Sequence, residues 1–160
     1  MSEISVTSAV MFNTANKFRD AYYAAMQPLC TSLDLPPAAV DILMFLANNP
    51  GDDTAADVCC CRGMKPGIVS VHVERLVREG YLERRGVPGD RRKSRLLCTP
   101  KAGPVIERGR ARQELFGREI ARGLGEEDLA HLRKCMAVFE RNIEAIRKAG
   151  VPEPEMEAER

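Results

Sequence analysis

The chain has 160 residues, of which 44% are hydrophobic, 29% charged and 5% aromatic, and its formal net charge is +1. This length suffices for one well-buried core, and no apolar run approaches the roughly 20 residues that cross a bilayer. The first twenty residues lack the basic start and apolar stretch of a signal peptide. We therefore expect a cytoplasmic protein, with no membrane partner, whose six cysteines are thiols.

The charge is unevenly distributed along the chain. Residues 62–101 carry 11 basic and 4 acidic side chains, whereas residues 1–61 carry 2 basic and 7 acidic ones. Residues 102–160 are nearly balanced, with 11 basic and 12 acidic side chains. A basic segment inside a near-neutral chain favours a surface that faces a polyanion such as nucleic acid. The alternative is a solvated basic face without a partner.

The first two predicted elements are helices. Apolar residues recur at helical spacing over about residues 1–31, with no proline before Pro28. In the stretch DLPPAAVDILMFLANNPG, Asp34 can cap a second helix, the prolines fit its first turn and Asn-Pro-Gly ends it.

The next two helices are short and separated by a tight turn. Thr54 is a plausible N-cap, and Asp57 three residues later completes a capping box. Gly63 breaks this helix, and the stretch KPGIVSVHVERLVREG predicts another that ends at Gly80. Residues 54–80 therefore read as helix, turn and helix.

The pattern then changes to two short β-like runs around the turn Val87-Pro88-Gly89-Asp90, which predicts a hairpin with a basic tip. Thr99 is expected to cap, and Pro100 to open, a helix that runs to about Gly123. A last helix follows Gly125, and residues 151–160 form a polar tail expected to be disordered. The last helix carries an apolar seam at coiled-coil spacing: Leu129, Leu132, Met136, Phe139, Ile143 and Ile146.

This order of elements, with the run VERLVREGYLERRGVPGDRRKSRLLCTPKAG, resembles the MarR family of transcriptional regulators. The resemblance implies a mainly α fold with a small β-hairpin wing, in one domain over residues 1–150. Its winged helix-turn-helix would span about 36–100, flanked by dimerisation helices at about 1–31 and 101–150. It also implies a homodimer that binds double-stranded DNA at a pseudo-palindromic operator, and a regulator that is a repressor.

The resemblance places the start of the second short helix in the major groove and the hairpin tip on phosphates or the minor groove. The family usually has small hydroxyl residues near positions 67 and 68 and often an arginine near 71. This chain has Gly67, Ile68 and Val71, so contact with thymine methyl groups would replace guanine reading. The candidate DNA-binding residues are Lys65, Gly67, Ile68, Ser70, Val71, His72, Arg75, Asp90, Arg91, Arg92 and Lys93.

The family also implies release from DNA by a small molecule, often an aromatic anion, bound in a crevice beside the dimerisation helices. The side chains that could line such a crevice are Phe12, Phe18, Tyr22, Met26, Met44 and Phe45. For each of them a place in the hydrophobic core is the favoured alternative.

The triplet Cys59-Cys60-Cys61 lies on the first short helix, where successive side chains point about 100° apart, so the three thiols cannot converge on one metal. Cys59 is expected to pack under the following helix, with Cys60 and Cys61 outward. A redox switch at Cys60 or Cys61 is the main alternative, because neighbouring Arg62 favours a thiolate. We find no metal, cofactor or catalytic pattern and expect no enzyme; a purely protein-binding winged helix is a further alternative.

Overall fold

The computed structural model describes residues 7–87 and 89–151, and between residues 90 and 93 it describes the backbone only. Within these residues the chain is mainly α-helical with one antiparallel hairpin, which confirms the predicted fold class. The chain forms two compact units, residues 1–117 and 118–160. The elements are α1 Ser8–Leu33, α2 Pro37–Asn48, α3 Ala55–Arg62, α4 Pro66–Arg78, β1 Leu82–Val87, β2 Asp90–Cys98, a 3-10 turn Pro100–Ala102, α5 Gly103–Ile120 and α6 Glu126–Ala149.

Helix α1 continues through Pro28 and ends at Leu33. The prediction that Asp34 caps α2 is wrong. Asp34 takes a left-handed conformation at φ 51°, and its amide donates to the carbonyls of Cys30 and Thr31, so it closes α1 instead. Pro36 is extended and occupies the N-cap of α2, because a residue before a proline is disfavoured in helical conformation.

Helices α3 and α4 form the predicted helix-turn-helix. The Asp57 amide donates to Thr54 Oγ1 at 3.2 Å, and the Thr54 amide donates to Asp57 Oδ2 at 2.9 Å, which confirms the capping box. Gly63 ends α3 at φ 61°, a backbone conformation that glycine adopts without strain. Pro66 then opens α4 at the position where its missing N–H removes no helical bond.

The core of the first unit is built around α2, in which every residue from Ala39 to Leu46 is buried. Val69, Val73 and Leu76 of α4 pack into the same cluster, as their spacing predicts. Leu82 and Leu96 extend the cluster to the hairpin. A Cβ atom on Gly109 of α5 would lie 2.3 Å from Met44 Sδ, so the glycine permits the close approach of these two helices.

The hairpin pairs Leu82 with Cys98 and runs to Gly86 opposite Ser94, with a register shift before Val87. It is fastened to the loop before α3, since the Leu96 amide donates to the Asp53 carbonyl at 2.7 Å and Arg95 Nε donates to Asp53 Oδ2 at 2.6 Å. Pro88 of the predicted turn and the side chains of Asp90 to Lys93 lie outside the described part of the chain.

The start of α5 differs from the prediction. The Thr99 hydroxyl makes no cap hydrogen bond and instead donates to the Gly80 carbonyl at 2.6 Å. Thr99 does occupy the N-cap position and Pro100 does open the segment, as predicted, but the first turn is a 3-10 turn and α5 ends at Ile120 rather than near Gly123. The predicted tail residues 152–160 lie outside the described part of the chain.

In the second unit, α6 begins where the Gly125 amide donates to Asp128 Oδ2 at 3.0 Å. The predicted seam is present but uncovered in the single chain, with Leu132, Met136, Phe139, Ile143 and Ile146 all between 42% and 55% exposed. Among the described residues, no single helix is long and apolar enough to cross a membrane. Only α1 and α2 taken together meet both criteria, and the two helices are bent by 101° relative to each other.

Candidate nucleic-acid interface

Helix α4 has two faces of opposite character. One face packs Val69, Val73 and Leu76 into the core. The other, which we call the outward face, presents Gly67, Ile68 and Val71 to solvent, and Ile68 and Val71 are 49% and 63% exposed. Aliphatic side chains three residues apart are neighbours on a helix surface, so these two form an apolar strip. They take no part in the core of this chain.

Polar groups flank this apolar strip. Lys65 is exposed at the N-cap of α4, and Ser70 is exposed one position before Val71. The N-terminal end of a helix carries partial positive charge, which attracts phosphate groups. His72 is half-buried. Its pKa is lowered mainly by burial and, to a smaller extent, by the charge of Arg75. Its imidazole is therefore neutral at pH 7 and can donate or accept a hydrogen bond.

A groove of about 840 Å³ lies between α4 and the hairpin, bounded by Ser70, Arg84 and Ser94 with Cys60 on its α3 side. Arg84 makes no ion pair with any side chain that the structure describes. Arg84 was not among the predicted DNA-binding residues. The alternation of side chains along β1 could have identified it. Residues two apart on a strand share a face, so Arg84 lies on the same face as buried Leu82, towards α4.

Arg75 was predicted to bind DNA, but the structure directs it inward. Its Nε donates to Glu79 Oε1 at 2.7 Å and its Nη2 donates to the Asp34 carbonyl. The hydrogen bond to Glu79 is the main cause that raises the pKa of Arg75. Arg75 therefore ties α4 to the end of α1, and its contact with DNA stays a prediction.

The cysteines of α3 lie as expected, with Cys59 half-buried against the core and Cys60 and Cys61 exposed. The pKa of Cys61 shifts in the direction opposite to that expected for an activated thiol. Its pKa is raised by desolvation, then by Cys60 and by Asp52 and Asp57, which together outweigh Arg62. Arg62 is drawn away because its Nε lies 3.5 Å from Asp41 Oδ1. Among the described residues, no group of three potential ligands could hold a metal ion.

The predicted crevice residues separate into three groups. Phe18 and Tyr22 line a cleft of about 570 Å³ among α1, α2, the end of α3 and α5. Met26, Met44 and Phe45 are core residues with at most 3% exposure, and Phe12 is 73% exposed, so these four do not line it. The cleft, named here the aromatic cleft, is bounded by Phe18, Tyr22, Asp41, Arg62, Gln113 and Phe116.

Asp41 and the tyrosines give the aromatic cleft its electrostatic character. Burial raises the pKa of Asp41, and the guanidinium of Arg62 only partly offsets this effect. Burial also raises the pKa of Tyr22 and of Tyr23, so both phenols stay protonated at neutral pH. The aromatic cleft thus combines a buried carboxyl, the two cations Arg19 and Arg62, and phenolic hydroxyls beside aromatic rings.

Comparison with known proteins agrees with this geometry. Residues 33–93 match the sequence profile of the MarR family. No curated protein sequence matches the chain. Transcriptional regulator Tm0710 from Thermotoga maritima is similar in structure, with 27% identity and a TM-score of 0.59 over 86% of this chain and 99% of that one.

Two further solved structures share the fold. A putative MarR-family transcriptional regulator from Listeria monocytogenes, solved with a 26-mer DNA, has 13% identity and a TM-score of 0.72 over 90% of this chain and 97% of that one. Bordetella bronchiseptica BpsR, whose DNA binding is regulated by 6-hydroxynicotinic acid, has 19% identity and a TM-score of 0.64 over 81% and 98%. Residues 33–93 therefore match the MarR family of transcriptional regulators, and the described chain shares the winged helix-turn-helix fold of these solved structures.

Proposed function

We propose that the chain is a homodimeric, sequence-specific regulator that binds double-stranded DNA, represses transcription and leaves its operator when a small molecule binds. The observation that carries the proposal is the outward face of α4, with Ile68 and Val71 held in water on a helix whose other side is core. A helix of this width fits the major groove, where thymine methyl groups offer apolar contact.

The surroundings of the outward face supply the remaining contacts. Phosphates on either side of the DNA major groove would be met by three groups: Lys65, the N-terminus of α4, and Arg84 on β1. Ser70 and His72 add hydrogen-bonding groups near base edges. At the wing tip we keep the predicted contacts of Asp90, Arg91, Arg92 and Lys93, with Arg92 in the minor groove and Asp90 orienting an arginine.

The dimer is supported by the uncovered seam of α6. Five apolar side chains repeating at coiled-coil spacing remain about half exposed in the single chain, a pattern that favours burial against another helix. We propose that helices within about 1–31 and 101–150 form the dimer and that about 36–100 form the DNA-binding part. Two copies would then present two α4 helices to a pseudo-palindromic operator.

Ligand control is supported by the aromatic cleft and by the ligand-regulated neighbour BpsR. The redox alternative at Cys60 and Cys61 is less favoured, because the raised pKa of Cys61 reduces its thiolate population. A repressor would act by occupying its operator, and a ligand would act by its differential affinity for the free and DNA-bound states. A purely protein-binding winged helix does not account for Arg84, a cation beside α4 that pairs with no carboxylate among the described side chains.

Sedimentation equilibrium tests the dimer. We expect a particle of twice the 17.7 kDa chain mass, and Met136→Glu should convert it to monomer by placing a charge in the apolar seam. Val138→Glu, on the same helix but outside the seam and already 42% exposed, is the control and should remain dimeric. A native monomer at micromolar concentration would contradict the dimer.

Fluorescence anisotropy tests DNA reading, using duplex DNA selected by the native protein from a random pool and a scrambled duplex. Ile68→Ser with Val71→Ser should weaken binding to the selected DNA by about tenfold or more, since a lost base contact costs roughly 1–3 kcal/mol. Binding to scrambled DNA should hardly change, because phosphate contacts remain. The control Val138→Ser should bind like the native chain; equal losses on both duplexes would exclude base reading by the outward face.

Arg84→Ala tests the phosphate contact from the hairpin. It should weaken binding to every duplex and reduce the slope of log affinity against log salt by about one, because one phosphate neutralisation is lost. Arg85→Ala is the matched control, since Arg85 Nη2 already donates to Glu83 Oε1 at 2.8 Å. The same salt slope for both variants and the native chain would remove Arg84 from the interface.

A further inference from the structure

Asp53 lies at a junction between the hairpin and the start of α3. The residue is only 9% exposed, and its carbonyl accepts from the Leu96 amide at 2.7 Å. Its Oδ2 accepts from Arg95 Nε at 2.6 Å. Thr54, the next residue, forms an antiparallel bridge with Arg95 and caps α3. One short segment therefore holds β2 and begins the helix-turn-helix.

The ion pair of Asp53 and Arg95 differs from an exposed surface pair. Arg95 Nη2 also lies 2.5 Å from Asp53 Oδ2, so one carboxylate oxygen meets two guanidinium nitrogens. The Asp53 side chain is 13% exposed, whereas that of Arg95 is 52% exposed. A carboxylate removed from water in this way needs a hydrogen-bonding or cationic partner. Among the described side chains, the cation that pairs with Asp53 is Arg95.

Arg95 lies on the face of the hairpin that points away from α4. Its neighbour Leu96 is buried and lies opposite Arg84 in the register of the two strands. Since side chains alternate along a strand, Arg95 and Arg84 lie on opposite faces. The residue opposite Arg95 is Arg85, and like charges directly opposite each other destabilise strand pairing. The carboxylate of Asp53 therefore compensates one of these two cations.

The direction of the hairpin beyond this contact depends on how firmly its middle is held. The hairpin has only two strands, an arrangement that is marginally stable in water by itself. The core holds its base through Leu82 and Leu96. The tip begins at Asp90, five residues from Arg95 on β2, which is about 17 Å at the usual rise of a strand. A rotation of about 10° at Arg95 would move the tip by about 3 Å, more than a hydrogen bond tolerates.

We propose that Asp53 is a positioning residue for DNA binding. Its ion pair with Arg95 holds the hairpin at the angle to α4 at which the wing tip and the outward face of α4 contact the same stretch of duplex. This inference rests on the proposed function, because the tip needs a fixed angle only if it contacts DNA. Asp53 itself touches no DNA in this arrangement, and Arg95 is held by a carboxylate rather than by a phosphate.

Asp53→Asn, measured by fluorescence anisotropy on selected duplex DNA, separates positioning from simple electrostatics. The change removes a negative charge near a polyanion and releases the Arg95 cation, so electrostatics alone would tighten binding. A mispositioned tip has the opposite effect. We expect about tenfold weaker binding and a slope of log affinity against log salt that falls by about one, because phosphate contacts of the tip are lost. Unchanged or tighter binding would overturn the proposal.

Two matched variants serve as controls. Asp52→Asn makes the same chemical change one residue earlier, at an exposed position of the loop, and should bind at least as tightly as the native chain. Arg95→Lys should stay within about threefold of the native affinity, since a lysine still donates to the carboxylate oxygen. Arg95→Gln should lose as much affinity as Asp53→Asn does. Equal losses in Arg95→Lys and Arg95→Gln would contradict a role for the ion pair.

A double-mutant cycle with Arg92→Ala shows whether the effect passes through the wing. If Asp53 acts by positioning the tip, its substitution should matter little once the proposed contact of Arg92 is gone, so the two losses should be strongly non-additive. A generally destabilised fold would instead weaken binding equally in both backgrounds. Additive losses would overturn the proposal. So would native affinity in Arg92→Ala, because a wing without a DNA contact needs no positioning.

Folding and DNA selectivity are measured separately from these effects. Thermal unfolding of each full-length variant sets a temperature at which all of them are folded, and affinities are compared there. If Asp53→Asn does not fold, Arg95→Gln takes its place in the cycle with Arg92→Ala. Selective DNA binding by the native chain tests the proposed function itself, and its absence would contradict that function. Selective native binding with unchanged affinity in Asp53→Asn would overturn only the positioning role.

Discussion

The burial of α2 is the constraint on which the rest of the molecule depends. Every residue from Ala39 to Leu46 is enclosed, so α1, α4 and the hairpin all pack around this one short helix. A mostly apolar, enclosed helix gains most of its stability from such enclosure rather than from its own propensity. Once Val69, Val73 and Leu76 are committed to α2, the outward face of α4 can only point to solvent.

The same packing determines which arginines form ion pairs within the protein. Arg75 closes the gap between α4 and the end of α1, and Arg95 fastens the hairpin to Asp53, which is only 9% exposed. These cations position elements and are already paired. Among the described side chains Arg84 has no ion-pair partner and lies beside α4, so the part of the basic segment available to phosphates is smaller than its composition suggests.

Local signals in the sequence predicted the elements well. The capping box of Thr54 and Asp57 and the positive-φ glycine Gly63 depend only on neighbouring residues, and both were confirmed. The apolar spacing of α4 also predicted its buried face. Asp34 was misassigned because its amide closes α1. Thr99 holds the predicted N-cap position, but its hydroxyl donates to the Gly80 carbonyl instead of capping the helix.

The site was harder to predict than the fold, because its properties arise from tertiary contacts. Nothing local distinguishes Met44, a core residue, from Phe18, which lines the aromatic cleft. Adjacency to Arg62 predicted an activated Cys61, but the guanidinium turns to Asp41, a residue 21 positions earlier in the chain. Charge effects of this kind depend on which group is nearest in space.

The central claim, that the outward face of α4 reads thymine methyl groups, is tested most directly on the DNA rather than on the protein. Replacing every thymine of a selected operator by uracil removes only those methyl groups and leaves base pairing and phosphates unchanged. The account predicts about tenfold weaker binding of the native protein to the uracil duplex. Equal affinity for the two duplexes would contradict it.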